Sequence, residues 1–125
     1  KIILLMAKIL IVDDSKSMRQ MVQFTLKNSE HELLEADDGD VALELAKKQS
    51  FDLILTDINM PRMDGLTLTQ ELRALSGHQK TPIMILTTES SDEKKVIGRK
   101  YGANGWIVKP FTPEKLLTVV KKIVG

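Results

Sequence analysis

Short uninterrupted apolar runs alternate along this chain with longer stretches in which apolar residues return every third or fourth position. Lys8 to Val12 is β-branched and apolar without alternation, the pattern of a strand covered on both faces. Behind Ser15, a ready N-cap, the residues Met18, Met21, Val22 and Leu26 fall at helical spacing. Leu33 to Ala36 predicts a second, shorter strand. Asp38-Gly39 marks a turn, and Val41, Ala42, Leu45 and Ala46 read as the inner face of a second helix. Phe51 to Thr56 is the third strand, followed by a loop holding Pro61 and Gly65. Leu68, Leu72 and Leu75 give the next helix its stripe, with Gly77 ending it. Ile83 to Leu86 is a fourth strand, and a charged helix over Asp92 to Tyr101 closes at Gly102. Gly105 to Val108 is the fifth strand. Thr112-Pro113 then opens a last helix with Leu116, Val119, Val120 and Ile123 inward.

Five strand–helix units in strict alternation predict an α/β fold: a doubly wound, five-stranded parallel sheet with five helices on its two faces. In such sheets a site forms beyond the carboxyl ends of the strands, where the strand order reverses. The 125 residues fit one domain, and no repeat, linker or low-complexity stretch divides them.

Composition narrows the chemistry. With 18 basic and 17 acidic side chains the net charge is +1, so no overall field favours nucleic acid or anionic lipid, and neither is expected as a partner. Cysteine is absent, which excludes disulfides, thiolate metal sites and cysteine nucleophiles, and fits a reducing cytoplasm. His31 and His78 lie in polar segments that read as connections, which argues against histidine zinc sites and Ser–His–Asp machinery. The apolar run in residues 1–5 is too short to span a bilayer and lacks a signal-peptide cleavage site. We read it as a non-native or upstream-translated extension, with the domain running over 6–125.

The residues just beyond the apolar runs are more informative. Asp13 and Asp14 close the first strand, Asp57 the third, Thr87 the fourth and Lys109 the fifth. Parallel strands would bring these residues to one rim. Crowded carboxylates repel, and a hard divalent cation with oxygen ligands offsets that repulsion. Asp57 stands alone on its loop, with Asn59 two residues on to lend a carbonyl; an aspartate so placed can act as a nucleophile and carry an acyl phosphate. Charge developing on a transferred phosphoryl group needs the positive neighbour that Lys109 offers and the donors of Thr87 and Thr88. A cis Lys109-Pro110 bond would aim the lysine inward. Singly, each residue has an ordinary explanation. Asp37-Asp38 and Asp64-Gly65 read as turns or caps, and a lone lysine is usually solvated.

The ordered set Val12-Asp13-Asp14, Leu55-Thr56-Asp57-Ile58-Asn59-Met60-Pro61, Met63-Asp64-Gly65, Leu86-Thr87-Thr88 and Val108-Lys109-Pro110-Phe111 resembles a response-regulator receiver domain. Within that family it is similar to the single-domain CheY type of bacterial chemotaxis. The resemblance runs from Ala7 to Val124 and implies a flavodoxin-like strand order 2-1-3-4-5. It also implies that the phosphohistidine of a histidine kinase donates its phosphoryl group to Asp57. Asp14, Asp57 and the Asn59 carbonyl would bind Mg2+, with Mn2+ a substitute, while Asp13 acts through water. Thr87 would bond the phosphoryl oxygen and Lys109 would pair with it. Such a protein is a signalling switch, catalysing only its own phosphorylation and dephosphorylation.

The resemblance further implies that Thr87 moves toward the phosphoryl group while Trp106, where many relatives carry tyrosine or phenylalanine, turns inward behind it. Asn59 and Glu89 would tune dephosphorylation by controlling access of water. The output surface would be the fourth helix, fifth strand and fifth helix, where Lys94, Lys95, Arg99, Lys115 and Lys122 flank Trp106. Exposed lysines often only solvate a helix, yet a basic face suits an acidic, partly apolar partner. The implied partners are the flagellar motor switch protein or another chemotaxis component, and a phosphatase. Three other functions fit the rim less closely. A phosphate sink or phosphorelay shuttle would need no effector. A metal-dependent aspartyl phosphatase of the haloacid-dehalogenase type wants its nucleophile after the first strand with another Asp two residues on. A flavodoxin-like cofactor binder wants a phosphate loop where Asp13-Asp14 would repel phosphate.

Overall fold

The computed structural model describes residues 6–125, so the reading of residues 1–5 lies outside the described residues. Strand β1 (Lys8–Val12) is followed by α1 (Lys16–Leu26), a 3-10 turn over Lys27–Ser29, β2 (Glu32–Ala36) and α2 (Gly39–Lys48). Then come β3 (Leu53–Thr56), α3 (Gly65–Ala74), β4 (Ile83–Thr87), α4 (Asp92–Tyr101), β5 (Gly105–Val108) and α5 (Pro113–Val124). The strands pair in parallel in the order β2-β1-β3-β4-β5. The expected doubly wound sheet with order 2-1-3-4-5 and five helices is therefore what the chain adopts. No helix among the described residues is long and apolar enough to cross a membrane.

Strand alternation sorts the apolar residues onto two faces. Leu10, Val12, Ile54, Ile83 and Ile85 join Ala42, Leu66, Leu68 and Leu72 in one buried cluster, beneath α2 and α3. Ile9, Ile11, Leu53, Leu55, Met84, Leu86 and Ile107 join Val22, Leu26, Leu116 and Val120 in the other, beneath α1 and α5. β3 and β4 are covered on both faces, which is why their runs carry no polar alternation.

The caps of α1, α4 and α5 act as the sequence indicates, whereas α3 ends at Ala74 with Leu75 as its C-cap, before the Gly77 expected to end it. The Ser15 hydroxyl accepts from the Met18 amide, Thr112 from Lys115, and Pro113 sits in the first turn of α5. Gly102 closes α4 at φ 111°, a left-handed conformation that glycine takes without strain. One inner face differs from its expectation. Val41 is 38% exposed, whereas Gly39, Ala42, Leu43 and Ala46 are buried. That stripe keeps the i, i+3, i+4, i+7 spacing of a packed helix but is rotated from the expected one.

Candidate functional site

Chain order reverses between β1 and β3, which lie side by side although β2 intervenes in sequence. Val12 stands opposite Thr56, and Thr87 opposite Val108. The ladder extends one step past the strand ends. The Asp57 amide donates to the Val12 carbonyl at 2.9 Å, Asp13 to Ala36 at 3.1 Å and Lys109 to Thr87 at 2.8 Å. Those backbone bonds bring Asp13, Asp57, Thr87 and Lys109 to the carboxyl edge of the sheet, the rim anticipated for the site.

Asp13 is buried and Asp14 exposed, while Asp57 lies between. One carboxylate oxygen from each falls within 4.8 Å of the others, a cluster that could hold a metal ion. All the donors are hard oxygens and Asp14 is exposed to solvent, which suits a cation that keeps part of its water shell. The Lys109 ammonium donates to Asp13 Oδ2 at 2.7 Å and to Asp57 Oδ2 at 3.2 Å. Asp13 Oδ1 accepts from the Ser15 amide at 2.9 Å, and Asp57 Oδ1 from the Ile58 amide at 2.7 Å. The Lys109-Pro110 bond is cis. Asp13 thus pairs directly with the lysine.

Thr87 is fully buried, and its hydroxyl accepts from the Glu89 amide at 3.3 Å. The Glu89 carbonyl in turn accepts from the Trp106 indole Nε1 at 2.8 Å. Thr87 and Trp106 are therefore joined through a single residue of the β4–α4 loop. Trp106 is half-buried against Gly98 of α4 and lines a cleft of about 100 Å³ with Lys95 and Arg99. Asn59 is exposed on the β3–α3 loop, and Glu89 is partly exposed. Lys94 and Arg99 on α4, and Lys115 and Lys122 on α5, are exposed, while Lys95 is half-buried. Arg62 of the β3–α3 loop bonds Asp40 at 2.8 Å. That bond holds the Asp40 carboxyl below the usual range and raises the guanidinium above it.

Three structural groups were missed by the sequence reading. Asp38, expected to be a turn residue, does cap α2, but its fully buried carboxylate also reaches across to the β3–α3 loop. His78, in a polar-looking connection, is 2% exposed. Its Nε2 donates to the Ala46 carbonyl at 2.9 Å, and Nδ1 shares a hydrogen bond with the Thr81 hydroxyl at 3.0 Å. Arg73 donates to the carbonyls of Gly102, His78 and Thr81 and to Asn104 Oδ1, and burial lowers its pKa. The only hint in sequence was position, since Asp38 precedes a glycine at a strand end.

Residues 9–121 match the model of the response regulator receiver domain. A chemotaxis protein CheY homolog of Campylobacter jejuni is 38% identical over 120 residues, 94% of this chain and 92% of that protein. The high-resolution structure of chemotaxis response regulator CheY4 of Vibrio cholerae superposes with a TM-score of 0.90 at 49% identity, covering 95% of this chain and 99% of that one. The receiver domain of sensor histidine kinase PA1611 from Pseudomonas aeruginosa superposes at 0.88 with 26% identity, over 97% and 99% of the two chains. That structure has a magnesium ion coordinated in its active-site cleft.

Proposed function

This chain belongs to the response regulator receiver domain family, and on that premise we propose that it is a phosphorylation-activated switch of a two-component system, with Asp57 as phosphoacceptor. One observation carries the reading. Lys109 reaches both Asp13 and Asp57 from another strand end, beside an oxygen cluster completed by Asp14. A structural ion pair would need one carboxylate; three around one ammonium leave an excess of negative charge that calls for a cation.

In the transfer, a carboxylate oxygen of Asp57 forms a P–O bond as the P–N bond of a kinase phosphohistidine breaks, and the imidazole leaves neutral once it holds a proton from solvent. Asp13, Asp14, Asp57 and the Asn59 carbonyl would hold Mg2+ or Mn2+, which supplies charge neutralisation for the phosphoryl oxygens. Lys109 turns its ammonium from the carboxylates toward the incoming phosphoryl group and offsets the charge it brings. The Ile58 amide holds Asp57 Oδ1 and so fixes the orientation of the carboxylate.

The Thr87 hydroxyl then turns toward a phosphoryl oxygen and gives up its bond from the Glu89 amide. Because the Glu89 carbonyl anchors the Trp106 indole, loosening that loop frees the ring to repack. The face of α4, β5 and α5 thereby changes shape around Lys94, Lys95, Arg99, Lys115 and Lys122. The relatives named as chemotaxis proteins support an output to the flagellar motor switch or another chemotaxis component. A histidine kinase would act upstream and a phosphatase would reset the switch, in the cytoplasm. Incubation with acetyl phosphate and magnesium, followed by peptide mapping, should place the label on Asp57. Undiminished labelling of Asp57→Asn, or indifference to chelation, would overturn the reading. Pull-down with beryllofluoride should recover an effector that the untreated protein does not bind.

A further inference from the structure

The β3–α3 connection, Asp57–Asp64, carries the proposed phosphoacceptor at one end and the Asn59 carbonyl near its middle. Its near end is fixed by short-range contacts. The Asp57 carboxylate accepts from Ile58, the Gly65 amide donates to the Ile58 carbonyl at 2.8 Å, and Gly65 lies so close that a Cβ there would collide with the Asp57 carbonyl. The far end is fixed from another part of the chain. Asp38 Oδ1 accepts from the Met63 amide at 2.8 Å and Oδ2 from the Arg62 amide at 3.1 Å, while Oδ1 also caps Gly39 at 2.8 Å. Gly39 presses on the same segment, where a Cβ would collide with the Met63 carbonyl. Asp38 is 0% exposed, so water does not compete for these three amides. Ile58 and Met60 of that loop are buried in the core, whereas Arg62 is exposed and Met63 half-buried, so a buried carboxylate with two of its three partners there does more than cap a helix.

We propose that Asp38 is a positioning residue for the acidic site: it pins Arg62 and Met63 and so sets where the Asn59 carbonyl stands relative to Asp14 and Asp57. The inference rests on the cation reading of that site. It predicts that Asp38 governs how tightly the cation is held, although Asp38 is not one of the ligands. Residues that orient metal ligands typically change affinity by about 10-fold or more when lost. Asp38→Asn keeps a carbonyl oxygen for Gly39 and Met63 but turns a donor toward the Arg62 amide. Asp38→Ala removes every acceptor.

The test is magnesium titration by calorimetry of the unaltered protein and both variants, well below their melting temperatures, together with hydrogen exchange at the Met63 amide. Asp38→Ala should bind magnesium about 10-fold more weakly and Asp38→Asn should lose less. Met63 exchange should quicken in the same order, and saturating magnesium should restore labelling of Asp57. Should Asp38→Ala not fold, Asp38→Asn decides alone. A folded variant with a lower melting temperature and unchanged magnesium affinity would show a merely structural role and overturn the inference. An unaltered protein that binds no magnesium would sink the cation reading itself, and the inference with it.

Discussion

Replacing Lys109 with methionine removes the ammonium while keeping an unbranched apolar stem, and it separates the charge role of this residue from its packing. The lysine side chain is 10% exposed, and its partners Asp13 and Asp57 are 5% and 13% exposed. At separations of 2.7 and 3.2 Å and an effective dielectric of about 20, the gross attractions are about 6 and 5 kcal/mol. Desolvation offsets much of that sum, and deleting one member of a buried pair costs about 3–5 kcal/mol net. Exposure of the rim points to the lower end, so urea unfolding with a chelator present should show a loss of about 3 kcal/mol. The three carboxylates and one ammonium of the site sum to −2, and the substitution makes the sum −3. Millimolar magnesium should therefore stabilise Lys109→Met more than the unaltered protein, since stabilisation follows ligand affinity. At saturating magnesium, labelling by acetyl phosphate should still fall about 10²-fold, the cost of losing one donor to developing charge. A variant as stable as the parent under chelation, or one whose deficit magnesium leaves untouched, would refute the reasoning.

Three further outcomes are expected. Beryllofluoride with magnesium should change the emission of Trp106, the one tryptophan, and Thr87→Ala should shrink that change by removing the hydroxyl that bonds the Glu89 amide; unchanged emission, with binding verified by fluorine NMR, would count against the coupling. The exposed Asn59 and partly exposed Glu89 would leave an Asp57 acyl phosphate open to water, so the label should decay quickly at neutral pH and persistence for many hours would be the adverse result. Gly65→Ala should cost about 3 kcal/mol in urea unfolding because its Cβ meets the Asp57 backbone, whereas Gly77→Ala, in open space at φ +95°, should cost about 1 kcal/mol; the reverse order would show that the β3–α3 turn yields easily.

Most elements were legible because their signals are local. The α4 run from Asp92 closes at Gly102 as read, with Ser91 capping its start in the structure, and the β5 run occupies Gly105 to Val108. The first turn of α5 is set by Thr112 and Pro113. Helix α2 shows where local signals stop. Val41, Leu43 and Leu45 are all apolar, and two overlapping stripes could have faced the sheet. In the structure Gly39 lies against Met63, and Val41 faces outward. His78 and Arg73 escaped for a related reason. A polar side chain is buried when distant carbonyls are there to receive its protons, and Ala46, Gly102 and Thr81 give no sign of that in sequence.

By itself the sequence determined the alternation of strands and helices, the strand ends at which carboxylates and a lysine appear, and the family they resemble. Periodicity, caps and residue chemistry are properties of neighbours along the chain, so they can be read from it. Tertiary structure alone decided that Lys109 pairs with Asp13 as well as Asp57, that Thr87 and Trp106 meet through Glu89, and that Asp38 holds the loop beyond Asp57. Apart from the local bond between the Glu89 amide and the Thr87 hydroxyl, each is a hydrogen bond between residues 17 or more apart in the chain. Its existence depends on ladder register and loop path to within about half an ångström, the tolerance of a hydrogen bond, and no local pattern encodes that.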